Sequence, residues 1–167
     1  QRLTQGRWII KDARGVVHEF ETPRSPPRQY GRYPAALITK IVHPSGELTF
    51  DRDDHGRLQW LVDAAKRPIG FEYDRRGRLV TIRLPRPDTD GFYPHRRYEY
   101  DDAGDLLAVT DALGHRTTYE YVTHLLVRET NRNGLSFYVQ YDGLGDDAYC
   151  VRTWGDGGLF DHTIAYD

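Results

Sequence analysis

The sequence predicts an all-β chain made of repeated antiparallel hairpins, and three observations predict it. The first is composition. Of 167 residues 13% are aromatic, tyrosine alone accounts for twelve, and sixteen glycines and nine prolines supply turns. Tyr, Val, Thr and Phe suit a pleated surface, where a ring packs on one side and a hydroxyl stays wet. The second is a repeated text. "FEYDRRGRLVTI" at residues 71–82 returns as "YEYDDAGDLLAV" at residues 98–109. The third is a ruler: Tyr73, Tyr100, Tyr121, Tyr141 and Tyr166 follow one another at intervals of 27, 21, 20 and 25, with Arg52 in the equivalent place 21 residues before Tyr73. Such intervals are the length of one supersecondary unit.

Each unit is punctuated twice. One mark is the turn after the ruler position: "YDRRGRL" at 73–79, "YDDAGDL" at 100–106, "RDDHGRL" at 52–58 with the tyrosine lost, and "YDGLGDD" at 141–147 with the leucine lost. Asp opens such a turn by bonding its own backbone, and glycine supplies the positive φ that closes it. The other mark lies ten residues before the ruler: "DAAKRPIGFEY" at 63–73, "DALGHRTTYEY" at 111–121, "NRNGLSFYVQY" at 131–141 and, more loosely, "DGGLFDHTIAY" at 156–166. Two turns per unit mean two strands per unit, a β-hairpin.

The strands between these marks read as short and β-branched. "LVTIRL" at 79–84 and "LLAVT" at 106–110 look apolar on both faces, whereas "FEY" and "YEY" alternate with the period of two of a half-exposed strand. "PRPDTDGFYPH" at 85–95 inserts about six residues relative to its neighbours, and its prolines predict a loop protruding from the sheet. The start of the chain differs. "RWIIKDARGVVHEF" at 7–20 is a hairpin candidate around "DARG", and "ETPRSPPRQYGRYP" at 21–34 reads as an extended connector. Residues 31–37 form a brief turn of helix at most, and "ALITKIVHPSGELTF" at 36–50 resumes the hairpin texture. The expected organisation is therefore an N-terminal hairpin with its connector over residues 1–34 and hairpin repeats over 35–167.

Charge and length exclude some classes of function. The 23 basic and 25 acidic residues nearly cancel, so the chain exerts no broad pull on nucleic acid or an acidic membrane. No run approaches the roughly 18 apolar residues of a membrane helix, and no basic-then-apolar stretch opens the chain as a signal peptide does. Gln1 and the lack of any methionine read as a piece of a longer protein. Cys150 is the sole cysteine, so no intrachain disulfide forms; it reads as a small buried apolar residue.

"YDRRGRL", then "YEYDDAGDL", then "DALGHRTTYEY" resembles the YD repeat of the Rhs family of large bacterial proteins, which also occurs in the C component of insecticidal toxin complexes and in animal teneurins. The resemblance runs from about Leu37 to Tyr141 and is weaker beyond. It departs at Arg52, at "YVTHLLV" from Tyr121, which has neither Asp nor Gly, and in the final unit. The Trp-then-"D-G"-then-Phe opening is similar to segments that precede such repeats. What the resemblance implies is a sheet of hairpins that curves and spirals into a hollow β-shell. In Rhs proteins the shell encloses a toxic C-terminal domain, and type VI secretion carries many of them through a spike protein. Rhs self-cleavage uses an aspartate motif built on Asp-Pro, a dipeptide this chain does not contain.

The chemistry that the residues offer is thin. Asp51, Asp53 and His55 alternate before Gly56 as a calcium loop does, but the twelfth position, where such a loop needs a carboxylate, is Val62. The histidines His18, His43, His55, His95, His115, His124 and His162 show no zinc-ligand spacing. Ser25, Ser45 and Ser136 lie outside any nucleophile motif. The carboxylate pairs at 53/54, 101/102 and 146/147 are adjacent in turns, so they do not share a face. Trp8, Trp60 and Trp154 are the stacking candidates for sugar or single strands, and "RRGR" at 75–78 is a short basic turn.

The expectation is thus a non-catalytic structural segment with no catalytic, cofactor-binding or metal residues. It serves a secreted or cell-surface bacterial shell that encapsulates and helps deliver a toxin. Its expected partners are the rest of that shell, the enclosed toxin domain and, through residues 1–34, a secretion spike or adaptor; nucleic acid is not among them. The alternative is a cell-surface adhesion or carbohydrate-binding module, which an exposed Trp60 and tyrosines lined along one strand face would favour.

Overall fold

The computed structural model describes residues 2–4, 6–23 and 36–166. The connector expected at 21–34 and the helical turn expected at 31–37 fall mostly outside them, as does Ser25. The described chain is all-β, with a single 3-10 turn at Asp156–Gly158. It divides into two compact units, Gln1–Tyr93 and Pro94–Asp167.

Unit 1 holds β1 (Arg2–Thr4), β2 (Arg7–Lys11), β3 (Val17–Glu21), β4 (Leu37–His43), β5 (Gly46–Arg52), β6 (Leu58–Val62), β7 (Pro68–Tyr73) and β8 (Leu79–Pro85). Unit 2 holds most of β9 (Phe92–Tyr100), then β10 (Leu106–Asp111), β11 (Arg116–Val122), β12 (Leu125–Thr130), β13 (Ser136–Tyr141), β14 (Cys150–Gly155) and a short β15 (His162–Thr163). Within each unit every strand pairs antiparallel with its sequence neighbour, from β1 to β8 and from β9 to β15, with no crossover. The hairpin expected at residues 7–20 is β2 and β3, with Trp8 opposite Phe20.

One turn is used throughout. In the turns that open at Asp12, Asp53, Asp63, Asp74, Asp101, Asp111 and Asn131, the opening amide bonds the carbonyl four residues on, at 2.9 to 3.2 Å. The side-chain Oδ1 of the same residue accepts two further amides; in Asp74 these come from Arg76 at 2.8 Å and Arg78 at 2.9 Å. Asn131 does the same with Asn133 and Leu135. The fourth residue closes the turn in the left-handed region, as the hairpin with a bulged glycine requires. It is Gly77 at φ 82° and Gly114 at φ 86°, but in the turn from Asp63 it is Lys66 at φ 62°. The two marks read from the sequence are therefore one device on alternate edges of the sheet.

A second device recurs at the ruler. Arg52 pairs with Leu58 and Asp51 with Trp60; Tyr73 pairs with Leu79 and Glu72 with Thr81; Tyr100 pairs with Leu106 and Glu99 with Ala108. One residue is skipped each time, a β-bulge that bends the strand and increases its local twist. The ladder breaks in the same way beside Phe20, Tyr121 and Tyr141.

This corrects the reading of "LVTIRL" and "LLAVT" as apolar on both faces. Val80 and Leu107 are the extra residues. Past them alternation resumes as Thr81, Ile82, Arg83 and as Ala108, Val109, Thr110. The insertion of about six residues is the loop at 86–91, between β8, which runs through Pro85, and β9, which starts at Phe92. Cys150 is half-buried, not buried; it pairs with Tyr141 where the ladder skips Val151.

Candidate functional site: an amphipathic sheet tied turn to turn

Residues in register across antiparallel strands share a face. In unit 1 the register puts Phe20, Ile41, Phe50, Leu61, Phe71 and Ile82 on one face. In unit 2 it does the same with Tyr98, Val109, Tyr119, Phe137 and Val139, with Glu129 between Tyr119 and Phe137. All are half-buried. Among the described residues only Val16 and Ala108 are buried hydrophobics. A sheet with one apolar face is stable when a second layer covers that face, and within each unit the described residues form no second layer.

The opposite face is charged and pairs with itself. Lys40 meets Glu47 at 2.7 Å and Arg83 meets Glu72 at 2.7 Å in unit 1. Arg116 pairs with Glu99, and Arg128 reaches Glu120 at 3.1 Å, in unit 2. Rings on this face are occupied. Tyr138 stacks on Trp154 at 5.4 Å between centroids and 18° between planes, with Arg128 over Tyr138 at 5.7 Å and Arg152 over Trp154 at 4.9 Å. Trp60 is half-buried against Gly70, where a Cβ would come 2.8 Å from the ring, and lies 5.2 Å from Phe92. Trp8, Trp60 and Trp154, the stacking candidates, are all half-buried.

Successive turns on each edge are bonded to one another. In unit 1, Lys66 reaches back to Glu47 at 2.6 Å and Arg57 lies 5.3 Å over Tyr73. Hydrogen bonds from Lys40 first, and then from Lys66, lower the Glu47 carboxyl to about 2. In unit 2 the two-residue turn at Thr123 and His124 has both residues at positive φ, 49° and 68°. It keeps the Tyr121 unit closed without Asp or Gly. His124 Nδ1 meets the Asp105 carboxylate at 2.9 and 3.1 Å, and the Thr123 hydroxyl donates to the Leu144 carbonyl at 2.7 Å. The hydrogen bond and charge of Asp105 raise the His124 pKa above its usual value. On the other edge Asp156 accepts the Ser136 amide at 2.8 Å and the Tyr138 hydroxyl at 2.9 Å.

The residues weighed for chemistry are placed in these turns and strands. Asp53 accepts the amides of His55 and Arg57 and the Arg57 Nε, so it is a turn residue, and His55 is exposed. Asp51 sits on β5, apart from that turn. His43 bonds Ser45 at 2.6 Å, and His115 bonds Asp111 at 3.2 Å. Ser136 is 2% exposed, held by Arg128 and Thr130. Among the described residues no group of three or more His, Cys, Asp and Glu side chains is placed to hold a metal ion. No described helix is long and apolar enough to cross a membrane. Sequence reasoning passed over the shared identity of the turns. Its signal was available as D-x-x-G from residues 12, 53, 74, 101 and 111, but Lys66 and Asn131 broke the letters.

Comparison with known proteins agrees with the repeat. Residues 100–136 match the RHS Repeat family model, so the chain carries an Rhs (YD) repeat. No curated protein matches the chain. Similar solved structures include a TcdB2–TccC3–Cdc42 crystal structure, at 14% identity and a TM-score of 0.42, covering 95% of this chain and 11% of that one. A TcdB2–TccC3 crystal structure is similar at 14% identity and a TM-score of 0.43, with the same coverage. The chain thus spans 11% of the length of those solved chains.

Proposed function

We propose that this Rhs-repeat chain is a non-catalytic wall segment of a larger β-shell, which encloses a C-terminal toxin domain and helps deliver it from a bacterium as a secreted effector. One observation carries the reading: in each unit the described residues form a single layer with no second layer over its apolar face, and successive turns along each edge are bonded to one another. A wall needs this division of labour, a stiff ladder with one face reserved for what lies against it. The Rhs repeat supports a protein that works outside the cell. Type VI secretion, a role in bacterial competition and a spike or adaptor contact through residues 1–34 belong to the same proposal. The adhesion or carbohydrate-binding alternative loses support at Trp60, which packs against Gly70 and Phe92, and keeps it at Tyr98 and Tyr119, which line one face of unit 2.

The test is light scattering after size exclusion, with circular dichroism on the same peak. A β-rich species that self-associates, or that gains order when the remaining parent chain is added, is the expected result. A stable, compact monomer that binds glycans, or turnover that depends on Cys150, would overturn the reading.

A further inference from the structure

The inserted hairpin builds a groove that the repeat itself does not need. The Arg86 amide donates to the Gly91 carbonyl at 2.8 Å, which leaves residues 87–90 as an exposed tip. Beside this tip lies a groove of about 690 Å³, lined by Pro68, Ile69, Leu84, Pro85 and Tyr93. Its size is that of a ligand site, roughly 300–1,000 Å³. Every lining residue belongs to unit 1. The groove is therefore complete within that unit, and a test of what it binds does not depend on the shell reading.

Three cations and one carboxylate line the same groove: Lys66, Arg67, Arg86 and Asp63. Two of the cations are already matched, Arg67 by Asp63 at 2.6 Å and Lys66 by Glu47 at 2.6 Å. Arg86 has no carboxylate partner among the described residues. The groove thus offers apolar walls and one unmatched guanidinium, a donor that prefers a planar carboxylate. Strand β7, which carries Pro68, is already paired with β6 and β8, and Pro85 has no N–H, so an incoming strand finds no ladder to extend there. What binds must be held by side-chain burial and charge. Proline walls are rigid before binding, which lowers the ordering cost.

We propose that this groove docks an extended polypeptide segment that presents an aromatic or large apolar side chain next to a carboxylate. The probe is a fluorescein-labelled Gly-Ser-Phe-Glu-Phe-Ser-Gly peptide titrated with the full chain and read by fluorescence anisotropy. Saturable binding is expected. Arg86→Glu should weaken it by about tenfold or more, a loss typical of one charge-assisted contact, and Tyr93→Ala should weaken it as well. Replacing the peptide's Glu by Lys should weaken binding to the unaltered chain equally, which tests the charge without touching the fold. No saturation up to about 1 mM would overturn the proposal. So would equal binding by the unaltered chain and a folded Arg86→Glu variant.

Discussion

The Tyr73 hydroxyl donates to the Leu58 carbonyl at 2.8 Å, and Leu58 is the residue beside which the ladder skips a position. The relation repeats. Tyr166 donates to the carbonyl of Cys150 at 2.9 Å, beside the skip at Tyr141. Arg52, which stands where the ruler has tyrosine, donates through Nε to the Ile38 carbonyl at 3.1 Å, beside the skip at Phe20. A bulge interrupts the regular ladder, and a backbone carbonyl there needs a donor from elsewhere. At positions 52, 73 and 166 the ruler side chain supplies it to the unit before. This gives the tyrosine a physical task, and it explains why arginine, a long side chain with N–H donors, replaces it at residue 52.

Removing that donor should be felt. We expect Tyr73→Phe to cost about 1 kcal/mol, the usual net worth of a hydrogen bond, and more if the carbonyl is left dry. Tyr119→Phe is the control, since its hydroxyl makes no hydrogen bond within the described residues. Urea denaturation of both variants checks this; equal losses would show that the hydroxyl of Tyr73 carries no special weight.

The turns need an acceptor oxygen more than a charge, as Asn131 shows. Asp74→Ala removes the acceptor for two amides and should lower the melting temperature. Asp74→Asn should lose less than half as much, chiefly through the contact of Arg78 Nε at 2.7 Å. Thermal denaturation ranks the three proteins.

Backbone and side-chain constraints on glycine separate at two positions. Gly114 sits at φ 86°, and no atom lies within 4 Å of the point where a Cβ would stand, so Gly114→Ala tests backbone strain alone, about 1–2 kcal/mol. Gly70→Ala keeps an ordinary φ but drives a methyl into the Trp60 ring, an overpacking cost of about 1–3 kcal/mol. Near-ultraviolet dichroism should change for Gly70→Ala only, because only that change moves a tryptophan.

Acid should loosen unit 1 through Glu47. Its folded pKa lies below the unfolded one, so its contribution is complete above pH 4.5 and is lost as pH falls toward about 2. The carboxyl titration, followed by NMR, should show a midpoint near 2 that returns toward 4.5 in the double variant Lys40→Gln, Lys66→Gln. A midpoint already near 4.5 in the unaltered chain would mean that the two lysines do not hold it.

Alkali acts on unit 2 in the opposite sense. His124 has a raised pKa, so its tie to Asp105 is complete below the ordinary histidine value of 6.5 and is lost as pH rises through the folded pKa. NMR titration of His124 should show the raised midpoint, and Asp105→Asn should bring it down. An unchanged midpoint in Asp105→Asn would assign the shift to Asp101 and Asp146, which also raise it.

The sequence by itself determined the hairpin repeat, its period and its strand order. These are local properties: Asp, Gly and alternating side chains act within a few residues, so the turns at Asp74 and Asp101 and the hairpin around "DARG" are legible in the letters. Tertiary structure alone decided the rest. Strand text does not reveal a bulge, because Val80 and Leu107 look like any other apolar residue until the partner strand sets the register. With the register fixed, strands that read as apolar on both sides divide into an apolar face and a charged one. The donors that stabilise the bulges, and the ties from Lys66 to Glu47 and from His124 to Asp105, join residues about one repeat apart. Their partners are chosen by which turns the pairing of strands brings side by side, and that is a property of the folded sheet.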